Sequence, residues 1–208
     1  MSILICVVKP EHAWLCVDTD VTFPDGGRGR TSKILPLPHA NAAIAGRGSF
    51  GFLYAIFSQC LVKGGAEIED MLDRMQIFLM ETAAQVVQSG EFHPDKEAGL
   101  DGSQEIILAG WSKRRQQPVA RVYQGNILGG IFLQTDVHVN DYAVAPAWDV
   151  KTESQPPLES VADMVRVAQS QVARIRKDSP KCSAGGEFIV ARIEHDKMTI
   201  SKEGDLDT

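Results

Sequence analysis

Three residues near the start of the chain, Ser2, Asp18 and Lys33, are of the types that can serve as a nucleophile and its proton-handling partners. An initiator Met is trimmed when a small residue follows it, and trimming here leaves Ser2 with a hydroxyl and a free α-amine on one residue. That amine has a reference pKa of ~7.7–8.0, so it can take the hydroxyl proton near neutral pH without a histidine. A nearby cation keeps such an amine neutral, and a carboxylate keeps the cation in place. Lys33 and Asp18 are the candidates for those two parts. A retained Met1 blocks the amine. Taken singly, each residue has an ordinary reading: Asp18 as a strand-end acid, Lys33 as a solvated charge at a strand start, Ser2 as simply the second residue.

The elements that must position these residues follow from hydrophobic periodicity. Residues 2–8 and 13–18 read as two strands joined by "KPEHA", a hairpin whose turn is opened by proline, and "SKILPLP" with "NAAIAG" reads as a second strand pair. Leu53, Ile56, Phe57, Cys60 and Leu61 recur at helical spacing up to Gly64 and Gly65. A second helix spans Glu67 to Ser89, with an acidic first turn and Gly90 as its stop. "EFHPDKEAGLDGSQ" reads as a polar loop, and "EIILAGWS", "PVARVYQ", "GIFLQTDVHV" and "DYAVAPAW" as a further group of strands. The prolines of "DVKTESQPP" break the chain at 149–157. A third helix then carries Leu158, Val161, Val165, Ala168, Val172 and Ile175. Its seven-residue rhythm is too short for a coiled coil and predicts a helix lying on a sheet. "GGEFIVARIEHDKMTIS" closes the chain as a hairpin, and residues 202–208 read as a loose tail. This order predicts an α+β fold of two packed sheets with helices outside, in a single domain spanning 1–208. A parallel Rossmann sheet does not fit it.

Composition excludes several function classes. The net charge of −6, with no block of like charge, gives no footprint for nucleic acid or an anionic membrane. No run approaches the roughly 20 apolar residues of a spanning helix, so a cytoplasmic protein is expected. Cys6, Cys16, Cys60 and Cys182 lack metal-ligand spacing, and free buried thiols are expected. Cys6 and Cys16 lie symmetrically about Glu11, so a cross-strand disulfide is the alternative. The five histidines read as surface residues, and Trp14, Trp111 and Trp148 as core or contact residues. Neither GxGxxG, P-loop, HExxH nor GxSxG occurs in a fitting context. No cofactor or metal is implied.

The pattern around these residues resembles the proteasome β subunits and their bacterial relatives among the N-terminal-nucleophile hydrolases. Ser2 and Asp18 are sixteen positions apart, the family's nucleophile-to-acid separation, and "DTDVT" from Asp18 to Thr22 is similar to its Asp-Ser/Thr-Arg-Ala-Thr motif. Lys33 in "TSKILPL" matches the family lysine, arriving one residue early. "AIAGRGSFGFLYAIF" resembles the Ala-Gly turn that opens its first helix. "ILAGWS" with "PVARVYQ", and "KDSPKCSAGG" with its extra residues between Asp178 and Ser183, resemble later family strands and the family ending. The similarity runs from Ser2 to about Ile193 and is dense only over the first fifty residues. There are departures. Asp20 stands where the family has arginine, "AVAPAW" where it has Gly-Ser-Gly, and Arg47 where small residues are usual.

The resemblance implies a four-layer αββα sandwich, peptide or amide hydrolysis through an acyl-enzyme, and self-assembly into a homo-oligomeric ring. It implies Ser2, Asp18, Lys33 and the backbone N–H of Gly46 as the catalytic set, the last as oxyanion donor, with Thr22 and Arg47 on the substrate. Gly46 and Gly48 equally read as a tight turn into the helix. The departures support a second expectation, a catalytically silent structural subunit of a ring or larger particle. An amide hydrolase acting on small molecules is a third. The sequence names neither the substrate nor an ATPase partner.

Overall fold

Two five-stranded antiparallel sheets and a short two-stranded ribbon carry the structure, a computed structural model that describes residues 2–22, 27–90, 102–146, 158–178 and 184–207. Strands β1 (Leu4–Val8) and β2 (Ala13–Asp18) are buried along their whole length. They form the centre of a five-stranded antiparallel sheet with β10 (Tyr142–Ala145), β11 (Glu187–Ile193) and β12 (Met198–Asp205), in the order β10-β1-β2-β11-β12. A second antiparallel sheet runs β5-β6-β7-β8-β9 through Ile34–Leu37, Ala42–Arg47, Ser103–Ser112, Gln117–Asn126 and Ile131–Val137. Between β2 and β5, β3 (Asp20–Thr22) and β4 (Arg28–Arg30) make a short ribbon. The class is α+β with antiparallel sheets, as the element order predicts.

Period-two alternation decides what each strand face meets. Leu4, Cys6 and Val8 pack in one apolar cluster with Ala43, Ala45, Ile107 and Ala109 of the second sheet. Ile3, Ile5 and Val7 pack in another with Met164, Val167, Ala168, Val172 and Ile175. Those last residues lie on one side of α3 (Val161–Asp178), so its heptad-like rhythm is the stripe of a helix on a sheet. Helix α3 starts where Ser160 and Asp163 exchange capping hydrogen bonds, Asp163 N–H to Ser160 Oγ at 3.2 Å and Ser160 N–H to Asp163 Oδ2 at 2.9 Å. A third cluster joins the other face of the second sheet, through Ile44, Ile106, Leu108 and Tyr123, to α1 (Phe50–Lys63) and α2 (Ile68–Ser89). Helix α2 sits tightly on that sheet, since a Cβ on Gly110 would lie 2.4 Å from Ile68 Cδ1.

Two expectations need correction. The pairing Ile5↔Cys16 and Cys6↔Leu15 places the two cysteines one register step apart, so Cys6 faces the second sheet and Cys16 faces α3. A one-residue offset flips the side-chain face, and the cross-strand disulfide is ruled out; Cys6, Cys16 and Cys60 are free and buried. The segment 202–208 is not a loose tail over its described part. Strand β12 pairs to Asp205, Leu206 is buried, and Asp207 is bound by Arg30 and Arg176. These partners of Asp207, Arg30 and Arg176, are distant in sequence. Residues 91–101 of the polar loop 91–104, Trp148, the proline segment at 149–157, Cys182 and Ser183 lie outside the described residues, and the end of that loop belongs to β7.

The Asp207 clip is expected to loosen in acid. The Gly186 N–H, then Arg176 and Arg30, hold its carboxyl below the ordinary value. A depressed carboxyl contributes stability that is present above its unfolded pKa of about 3.9 and is lost as pH falls through the lower folded value. The Gly186 amide resonance is therefore expected to titrate with a midpoint below about 3.9, and Asp207→Asn is expected to remove that titration.

Candidate active site

Where β1 and β2 reach their common end, Asp18 is fully buried and Lys33 is 3% exposed. A bare charge in such a place is costly unless it is paired and hydrogen-bonded. Both conditions are met. Lys33 Nζ donates to Asp18 Oδ1 at 2.7 Å and to the Asp20 carbonyl at 2.6 Å. Asp18 Oδ1 also accepts the Ile3 N–H at 2.9 Å, and its Oδ2 accepts the Gly185 N–H at 3.2 Å. Burial pushes the Asp18 carboxyl up, opposed by the Lys33 charge and hydrogen bond. Burial likewise pushes the Lys33 ammonium down, opposed by Asp18.

This pair lies at the residue next to Ser2. The Ile3 amide that binds Asp18 is the nitrogen of the peptide bond made by the Ser2 carbonyl. Strand alternation carried back from Leu4 puts the Ser2 side chain toward the second sheet. On that sheet Ile34 pairs with Ala45, so the next positions outward are Lys33 and Gly46. The structure thus brings Asp18, Lys33, residue 2 and the end of β6 to one end of the two sheets. Among the described residues, two of the three Lys33 N–H groups are engaged, by Asp18 and Asp20.

The remaining candidates fall differently. Gly46 lies inside β6, where a Cβ would meet Leu53 Cδ1 at 3.0 Å, and the turn into α1 is made by Gly48 at φ +124. Arg47 is half-buried and ion-paired with Glu105, which also accepts from Gln124 at 2.7 Å. Thr22 stands at the far end of the β3–β4 ribbon, opposite Arg28. Asp20 is faced by Arg30 of β4 at 3.4 Å. "AVAP" runs along β1, with Ala145 opposite Leu4.

Two contributors escaped the sequence reading. Gln104, buried in β7, accepts the Ser49 N–H at 2.9 Å beneath Gly48. Gly185 binds Asp18 from 167 residues away, and the only signal for it was the paired glycines before β11. Gly48→Ala is expected to cost about 1–3 kcal/mol, from the left-handed backbone together with a Cβ 2.4 Å from Gln104 Oε1. Chemical denaturation measures it.

The fold is that of Anbu, the ancestral β-subunit. A Gly-1 mutant of Anbu from Hyphomicrobium sp. strain MC1 superposes with a TM-score of 0.62 at 8% identity, covering 99% of this chain and 88% of its own. Anbu from Yersinia bercovieri gives 0.59 at 11% identity, with 98% and 88% covered. A further Hyphomicrobium Anbu structure gives 0.60 at 9%, with 98% and 87% covered. No family model and no curated protein matches the chain. These matches correct the likeness to proteasome β subunits and their bacterial relatives among the N-terminal-nucleophile hydrolases. Anbu is related to the proteasome but is a distinct family, and at such identities the likeness is one of fold.

Proposed function

We propose that the protein hydrolyses peptide or amide bonds with Ser2, exposed by removal of Met1, as nucleophile. The observation that carries this reading is the buried Asp18–Lys33 pair, hydrogen-bonded to the amide next to Ser2. Ser2 Oγ attacks the substrate carbonyl carbon, and its proton passes to the Ser2 α-amine. The tetrahedral oxyanion accepts a hydrogen bond from the Gly46 N–H, and the leaving amine takes the proton back as the acyl-ester forms. Water then repeats the sequence in reverse and frees the acid. Lys33 keeps the α-amine neutral by charge repulsion and Asp18 orients Lys33. The chemistry asks for no cofactor.

The arrangement belongs to a single domain folded as a four-layer αββα sandwich, supported by three apolar clusters that join α1 and α2, the two sheets, and α3 in succession. In keeping with the ancestral β-subunit fold, copies associate through a repeated head-to-tail contact that closes into a ring. Free, buried Cys6, Cys16 and Cys60 fit a reducing cytoplasm. No helix among the described residues is long and apolar enough to cross a membrane.

A second reading, a silent structural subunit, is favoured by "AVAP" lying along β1 in place of a supporting Gly-Ser-Gly. Intact mass and labelling by a fluorophosphonate separate the two. The hydrolase reading expects a chain lacking Met1 that gains one phosphonyl group on Ser2. A full-length, unlabelled chain supports the silent subunit.

A further inference from the structure

We propose that Asp207 is a positioning residue for the Ser2 site: through the Gly185–Gly186 turn it fixes the Asp18 carboxylate, and through Asp18 the Lys33 ammonium. The proposal takes its functional consequence from the Ser2 reading above, while its geometry stands apart from it. Asp18 Oδ2 is held by the Gly185 N–H. The Gly185 carbonyl accepts from the Thr19 and Asp20 N–H groups at 3.2 and 3.3 Å, so this turn touches Asp18 and the two residues after it. Both glycines have left-handed φ values, +138 and +74, and neither has a side chain with which to anchor the turn.

Its place is set from outside. The Gly186 N–H donates to Asp207 Oδ1 at 3.0 Å, and the Gly186 carbonyl accepts the Leu206 N–H at 2.7 Å. Arg30 donates to Asp207 Oδ2 at 2.6 Å, and Arg176 donates to Oδ1 while its Nε reaches the Ala184 carbonyl at 3.2 Å. Arg30 also faces Asp20. Two acids and two arginines thus form a neutral quartet joining β3, β4, the end of α3 and the residues after β12. The packing leaves no slack, because a Cβ on Gly185 would lie 2.5 Å from Asp207 Oδ1 and one on Gly186 2.5 Å from Asp20 Oδ1. Asp207 contacts none of the reacting groups. Its effect on Lys33 runs through a chain of hydrogen bonds whose last two links, Gly185 to Asp18 and Asp18 to Lys33, are buried.

The test uses the full chain and two readouts: the Asp18 carboxyl-carbon and Lys33 Nζ resonances across pH, and the rate and pH midpoint of Ser2 labelling by a fluorophosphonate. Asp207→Ala is expected to move both resonances and to slow labelling roughly 10- to 100-fold with a displaced pH midpoint, since a misplacement of about 1 Å can cost that much. Asp207→Glu is expected to restore much of both. If the alanine variant does not fold, Asp207→Asn, which keeps an acceptor and loses the charge, is expected to shift both readouts in the same direction by less. Lys202→Ala, which breaks the Lys202–Glu187 pair on the same hairpin, is expected to move neither. The proposal is overturned if the Asp207 variants leave the Asp18 and Lys33 resonances in place, or if Lys202→Ala moves them equally. Absence of labelling in the unsubstituted protein refutes the Ser2 reading alone, and the resonances still decide the role of Asp207.

Discussion

Ser2→Ala is expected to abolish fluorophosphonate labelling and to lower any amide hydrolysis by on the order of 10⁴- to 10⁶-fold, the loss seen when a nucleophile is removed from a unit that acts together. The change removes one oxygen from a half-buried residue before the first strand. Stability is expected to move by no more than about 0.5 kcal/mol. The α-amine, Lys33 and Asp18 all remain, so the variant isolates the hydroxyl. Labelling mapped by peptide mass decides the matter. Label that persists on the Ser2→Ala protein, at Ser32 or Ser49 for instance, refutes the assignment of the nucleophile.

Asp18→Ala carries the largest expected cost in stability, about 3–5 kcal/mol, because breaking a buried ion pair leaves the other charge uncompensated. Three donors lose their acceptor at once: Lys33 Nζ, the Ile3 N–H and the Gly185 N–H. Urea denaturation reads the effect. Coupling distinguishes a lost pair from a simple cavity. Asp18→Leu combined with Lys33→Met is expected to be more stable than Asp18→Ala, since no charge is then left buried alone. The double variant is nonetheless expected to show no labelling at Ser2. A stability loss below about 1 kcal/mol for Asp18→Ala contradicts the burial described here.

Much of the architecture was legible because the strands and helices alternate or repeat cleanly. Leu4, Cys6 and Val8 against Ile3, Ile5 and Val7 show both faces of β1 to be apolar, which calls for a covering layer on each side. The meeting of Asp18 and Lys33 was legible from their types, as charged residues at the ends of strands otherwise apolar, and from the family resemblance. Register was not legible. The symmetry of Cys6 and Cys16 about Glu11 fails because the turn is centred half a residue earlier, and nothing in "KPEHA" fixes that centre. Nor was the role of Asp207 legible, since its partners Arg30, Arg176 and Gly186 are brought to it only by the completed sheet. The likeness to proteasome β subunits was dense over fifty residues alone, while the Anbu likeness of fold spans 98–99% of the chain.

The most direct measurement of the central claim is the titration of the Ser2 α-amine, labelled with ¹⁵N, in the chain freed of Met1 and in its Lys33→Met variant. A midpoint below the ordinary ~7.7–8.0 in the unsubstituted chain, rising when the Lys33 charge is removed, is the predicted result. An amine that titrates at its ordinary value in both proteins contradicts the account, for the buried pair then has no hold on the residue it is said to serve.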